Sequence, residues 1–288
     1  MCASGGEWSR REFLAAGAAA AAGYTLAAGP VRAAAIRTSG EGLIEGTVEI
    51  PIADAPMPAY RAMPEGAMPE GAGPFPVCLV VHEIFGVHEY IRDVCRRLAR
   101  QGYLALAPDL YRRVADVSGM TSARQIIDEV VPQVPDATVL SDLDAARAWA
   151  GQNGGDPGRT FVTGFCWGGR IVWLYAAHQP DLSAGVAWYG RLVGKDRSET
   201  PRHPLDLAEG AMAPVLGLYG GQDGGIPLDT VEAMRKRRAA AGGESRIRVF
   251  PEAPHGFHAD YRGSYREADA RAGWQDLLAW FRDHGGAR

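Results

Sequence analysis

Apolar and polar positions alternate from Thr47 to Ile52, which predicts a first strand with one covered face. Beyond it the pattern becomes short, unbroken apolar runs separated by amphipathic stretches. Val77–Val81 and Tyr103–Ala107 are runs of the kind that form strands buried on both faces. Between them Ile91, Val94, Cys95 and Leu98 recur at helical spacing, ended by Gly102. A helix is predicted over Ala137–Ala150, with Val139, Leu143, Ala146 and Ala150 on one face and a glycine-rich stretch terminating it. Thr160–Gly164 reads as the next strand and Arg170–Ala177 as the helix behind it. Ala184–Tyr189, Val215–Tyr219 and Arg246–Phe250 read as three more strands, with a helix over Thr230–Ala241. Trp274, Leu277, Leu278 and Phe281 line one face of a closing helix, and Met63–Pro76, rich in Pro, Gly, Met and Glu, reads as a loop. Strand–helix alternation of this kind predicts an α/β fold, a mostly parallel sheet covered by helices on both faces. No linker interrupts it, so residues 36–288 are expected to form one domain.

The first 35 residues break that pattern. Ser9-Arg10-Arg11-Glu12-Phe13-Leu14 precedes an Ala- and Gly-rich stretch without charge from Phe13 to Val31, closed by Arg32 and Ala33-Ala34-Ala35. A positive segment, an apolar stretch and a small-x-small site describe a bacterial export signal. The arginine pair followed by Phe13-Leu14 resembles the twin-arginine type, which implies the twin-arginine export machinery as a partner and a periplasmic destination. A retained membrane span is the competing reading, but Gly17, Gly23, Gly29 and Pro30 weaken one, and no stable span is expected after cleavage.

Composition narrows the function classes. The chain has 288 residues and a formal charge of −4, with no long basic run, so a nucleic-acid surface is not expected. Four cysteines, with no CxxC, exclude a disulfide scaffold, and His82, His88, His178, His203 and His284 show no zinc-binding spacing. No metal or organic cofactor is expected.

In a sheet of this type, ligands bind beyond the carboxyl ends of the strands. Gly164-Phe165-Cys166-Trp167-Gly168-Gly169 stands directly after a predicted strand and opens a helix. It is the nucleophile-elbow pattern with Cys in place of Ser, the glycines making room for a tight turn. A helix N-terminus beneath the Cys166 sulfur favours its thiolate, and the Trp167 N–H is an oxyanion donor. A buried structural cysteine is the plainer alternative; Cys78 and Cys95 are expected to be that. Asp223 follows the Val215–Tyr219 run and His255 the Arg246–Phe250 run. Nucleophile, acid and histidine thus come in the chain order of the hydrolase triads built on such sheets. His82-Glu83-Ile84-Phe85-Gly86 follows Val77–Val81, where the Ile84 N–H is the candidate second oxyanion donor. Glu83 is either a carboxylate at the nucleophile or a loop acid paired with an arginine or capping the next helix.

At these motifs, together with Pro108-Asp109-Leu110-Tyr111, Gly220-Gly221-Gln222-Asp223 and Pro254-His255-Gly256-Phe257-His258, the sequence resembles the dienelactone hydrolase (carboxymethylenebutenolidase) family. The resemblance spans nearly all of the chain after residue 47 and implies the α/β-hydrolase fold. It implies hydrolysis of a lactone or small carboxylic ester through an acyl-enzyme on Cys166, with His255 and Asp223 completing the triad. It further implies that the resting thiol is neutral and that Glu83 takes its proton when substrate arrives. Phe85, Tyr111 and Arg124 are the implied substrate-binding positions. Members acting on dienelactone grip its carboxylate with two arginines. Ala259 stands where one of these falls, Arg262 lies further along than the expected reach, and Arg124 stands near the other, where a solvated helix arginine is the alternative. The segment from Arg191 to Gly210 is expected to wall the pocket.

Another class of function is open to the same residues: an exported thiol-redox or ligand-binding protein on a hydrolase scaffold. No resolving cysteine accompanies Cys166, whereas all three triad members are present, which favours hydrolysis.

Overall fold

In the computed structural model, which describes residues 36–66, 74–195 and 197–287, the unbroken apolar runs become the central strands of an eight-stranded sheet. In chain order the strands are β1 (Leu43–Ile50), β2 (Met57–Pro64), β3 (Phe75–Val81), β4 (Leu104–Pro108), β5 (Gly155–Phe165), β6 (Ala184–Trp188), β7 (Val215–Gly220) and β8 (Arg246–Phe250). Their spatial order is β1-β2-β4-β3-β5-β6-β7-β8. The strands from β4 through β8 in that order are parallel, while β2 runs antiparallel to both β1 and β4. The longer helices are α1 (Glu89–Ala99), α2 (Asp136–Gln152), α3 (Trp167–His178), α4 (Leu228–Ala240) and α5 (Glu267–Asp283).

Every residue of β3, β4, β6 and β7 is buried, as continuous apolar runs require. The edge strand β8 instead alternates, with Arg246 and Arg248 outward. Strand β2 has no counterpart in the sequence reading. Pro58 and Pro64 stand near its ends, where a missing N–H is tolerated, and their presence masks the apolar Met57, Ala59, Tyr60 and Ala62 between them. The expected loop over Met63–Pro76 is correspondingly shorter, because its ends belong to β2 and β3. A helical segment over 123–133, capped by the Ser122 side chain, carries Arg124, as the helix-arginine alternative had it.

Residues 1–35, over which the export signal is predicted, lie outside the described residues. Among the described residues no helix is long and apolar enough to cross a membrane.

Candidate active site

Strand β5 delivers the chain to Cys166, which takes φ 59° and ψ −114°, a conformation rare for any residue with a side chain. The turn is possible because its neighbours are glycines. A Cβ on Gly164 would lie 2.4 Å from the Gly168 carbonyl oxygen, and one on Gly168 would lie 2.4 Å from that of Val81. The Cys166 N–H donates to the Trp188 carbonyl at 3.0 Å, fixing the turn to β6. Cys166 is buried, at the N-cap of α3, where the helix dipole favours negative charge.

Beyond β7 and β8 the chain brings Asp223 and His255 together. The Nδ1–H of His255 donates to Asp223 Oδ2 at 2.7 Å, both side chains 1% exposed, and Asp223 Oδ1 accepts from the Gly225 N–H at 2.8 Å. Burial disfavours a charged His255 ring, but the Asp223 carboxylate and the nearby Cys166, to which it is also hydrogen-bonded, outweigh it and hold the ring's pKa up to about 10. The ordinary value is near 6.5, so the charged ring stabilises the fold fully below that pH and loses this contribution as pH rises towards 10. Urea unfolding should therefore show the stability gap between wild type and Asp223→Asn shrinking across that window; a constant gap would contradict the pairing.

Glu83, after β3, is fully buried and ionised. Burial alone would raise its pKa, yet Arg262, His88 and Tyr261 lower it to about 2. Tyr261 donates its hydroxyl proton to Oε2, and Arg262 Nη2 lies 3.4 Å from Oε1. The His88 ring stands 3.8 Å from Oε2. Arg262 thus reaches the site, contrary to the expectation from its distance along the chain. Two successive turns, Ala259 N–H to the Gly256 carbonyl and Arg262 N–H to the Ala259 carbonyl, shorten the path from His255. Tyr261 and His88 were not expected at all, since neither stands in a recognisable motif. Arg262 also stacks over the Phe85 ring at 5.4 Å, and Cys166 acts on it electrostatically.

Ile84 and Trp167 are buried beside these groups. The N–H of Trp167, first residue of α3, has no preceding helical turn to bond to. Tyr111 packs against the rings of His82 and Trp167 and is close enough to Cys166 for the sulfur to act on it. Phe85 contacts Tyr261 and His88 edge-on. Arg124 is not brought to this cluster: it is an exposed arginine whose guanidinium pairs with Asp128 one turn on, as the solvated-helix alternative had it. A cavity of about 450 Å³ opens beside the Glu83 loop, lined by Phe85–Glu89, Tyr60, Arg92, Asp109 and residues 116–118, 120 and 121. The segment expected to wall the pocket, 191–210, supplies none of this lining; Arg202 and His203 of that segment pack against Arg170 of α3. Among the described residues no group of three or more His, Cys, Asp or Glu side chains is placed to hold a metal ion.

A model of the dienelactone hydrolase family matches residues 57–285. A Methylorubrum extorquens protein named "Putative carboxymethylenebutenolidase" is 56% identical over 279 residues, covering 96% of this chain and 94% of its own. A protein of the same name from Escherichia coli K12 is 49% identical over 266 residues, covering 92% and 97%. The crystal structure of a "Putative Dienelactone Hydrolase" from Klebsiella pneumoniae matches with a TM-score of 0.80 at 54% identity, covering 83% of this chain and 98% of that one. The eight-stranded sheet is that of the α/β-hydrolases. The chain is a carboxylic ester or lactone hydrolase and belongs to the dienelactone hydrolase family.

Proposed function

We propose that the chain hydrolyses a lactone or small carboxylic ester through a thioester on Cys166. The observation that carries this is the convergence of Cys166, on its elbow, with the buried His255–Asp223 pair. The Cys166 thiolate attacks the carbonyl carbon, and the N–H groups of Trp167 and Ile84 receive the developing oxyanion. Charged His255 gives its proton to the departing alcohol oxygen, leaving the acyl group on sulfur. The neutral ring then takes a proton from water, the hydroxide attacks the thioester, and the thiolate departs beside a recharged His255. For a lactone the first step opens the ring, the freed hydroxyl remains part of the acyl group, and the whole hydroxy acid leaves in the second step.

Glu83 has a different role here from the one the family resemblance implies. A carboxylate with its pKa held at about 2 by Arg262, His88 and Tyr261, against its burial, is a poor acceptor for a thiol proton. We assign the thiol proton to His255, and to Glu83 the positioning of Arg262 near the sulfur. Phe85 and Tyr111 form apolar walls for the acyl and alcohol parts, with the adjoining cavity taking what extends beyond them. Export by the twin-arginine route, directed by residues 1–35, belongs to the same proposal.

Intact-mass measurement during turnover of a slowly hydrolysed aryl ester tests the covalent step. An acyl adduct should map to Cys166, decay as product appears, and be absent from Cys166→Ala. Undiminished ester turnover by that variant would overturn the proposal.

A further inference from the structure

The loop carrying His255 and Arg262 also carries Asp260, whose side chain is 1% exposed. Asp260 Oδ2 accepts from Arg97 Nη2 at 2.6 Å, and Oδ1 accepts from the backbone N–H of Ile36 at 3.3 Å. Ile36 is the residue immediately after Ala33-Ala34-Ala35, where the sequence places the end of the export signal. The following residues are bound down as well: the Thr38 N–H donates to Asp93, and the Arg100 guanidinium donates to the carbonyls of Ser39 and Glu41. Ile36, the residue that follows the predicted cleavage, thus has its nitrogen at a buried carboxylate, and the residues after it are bound to α1 and its cap.

The ion pairs continuing from Asp260 run through Arg97 to Asp93, through Arg96 to Glu45 and Glu89, and on to Arg37. This connected network sets four carboxylates, Glu45, Glu89, Asp93 and Asp260, against three guanidiniums. Among the described residues it is one positive charge short. Burial, the largest influence, pushes the Asp260 carboxyl above the ordinary range despite Arg97, as expected where a buried acid lacks compensation.

We propose that Ile36 is a processing site whose new amino terminus completes this network. Resting on the export proposal above, the step is hydrolysis of the Ala35–Ile36 peptide bond by an export-associated endopeptidase. Water supplies the oxygen that makes Ala35 a carboxylate, and the Ile36 nitrogen, taking up protons, becomes an α-ammonium. The same nitrogen that donated one neutral hydrogen bond to Asp260 then offers three charge-assisted ones, and such bonds are roughly twice as strong. Asp260 lies two residues from Arg262 and five from His255, so the ion pair fastens the loop that holds the catalytic base and the Glu83 clamp. Arg97, Asp93, Tyr90 and Tyr265 also face or act on Asp260. Arg97 stays charged and both tyrosines are raised, while His258 is held neutral by burial and by Arg97, with its pKa at about 3. His255 also loses charge in the alkaline range, but it does so in cut and uncut chains alike; the α-amino group, ordinarily titrating at about 7.7–8.0, is the group whose charge distinguishes the two.

The test uses the full chain with a specific protease recognition sequence in place of Ala33-Ala34-Ala35, cut to free Ile36. Cutting should raise Tm at pH 7 by several degrees; acetylating the new terminus, or raising the pH until the ammonium is neutral, should abolish the gain. Asp260→Asn should show no response to cutting. A Tm unchanged by cutting, or a gain that survives acetylation, overturns the proposal. So does N-terminal sequencing of the exported protein that finds a start other than Ile36. The same cutting experiment on Cys166→Ala should give the same shift, which keeps a failure here distinct from a failure of the hydrolytic mechanism.

Discussion

Replacing Cys166 with alanine is expected to lower kcat for aryl-ester hydrolysis by about 10⁴-fold or more, the scale on which loss of a triad nucleophile acts. The fold should survive, because alanine fills the same buried position with less volume. Serine is the more informative replacement. In the wild type His255 is held charged by Asp223 and by the Cys166 sulfur; serine takes away the sulfur's share but leaves Asp223, which still favours the charged ring and so opposes its drawing the proton from a hydroxyl. A thiol ionises beside such a ring far more readily than an alcohol does. Cys166→Ser should accordingly fall well below wild type at pH 7 and gain activity as rising pH neutralises the ring, with a midpoint below the wild-type ring's value of about 10 because the sulfur's contribution is gone. Stopped-flow and steady-state assays across pH 6 to 10 check this; a serine variant within ten-fold of wild type at pH 7 would rule out the charged-histidine mechanism.

Arg262→Met should cost about 3–5 kcal/mol, the range seen when one partner of a buried ion pair is removed. The cause lies in Glu83, whose fully buried carboxylate would lose the largest of the influences that keep it ionised. In the wild type Glu83 contributes stability that is complete above about pH 4.5 and lost as pH falls towards 2. Without Arg262, burial dominates and the carboxyl's pKa moves up, so stability should fall rather than rise as pH increases past its ordinary value. The double variant Glu83→Gln, Arg262→Met should lose less than the sum of the two single losses, since the stranded charge is gone. Denaturant unfolding of the four proteins measures both effects, and additive losses with an unaltered pH profile would exclude the ion pair as the organising contact.

What could be read from the chain followed from where the physics is local. Val77–Val81 and Val215–Tyr219 announce themselves because strands covered on both faces have no polar positions to confuse the pattern. Cys166 was legible because a tight elbow requires glycine at Gly164 and Gly168, and Asp223 and His255 because each follows an apolar run at the sheet's ligand-binding edge. Strand β2 was hidden by Pro58 and Pro64. Arg262 was misjudged because sequence distance says nothing of two consecutive turns that fold the chain back on itself. Tyr261 and His88 stand around Glu83 through tertiary packing alone, with no spacing rule to betray them. Arg124 fell at a plausible sequence position, but its helix turns it outward to Asp128.

The segment from Glu252 to Arg266 gathers the proposed base His255, the arginine opposite Glu83 and the Asp260 contact to Ile36 into one short stretch. The wall formed by residues 116–118, 120 and 121 faces the cavity from a different loop and supplies none of the proposed triad or the Glu83 clamp. Changes in the first stretch will be strongly epistatic, each altering the setting in which the next is judged. Changes in the second can accumulate one at a time. Under the proposed function, diversification of substrate range, by selection or by design, is therefore channelled into the loop at residues 116–118, 120 and 121, while the chemistry is inherited as a block.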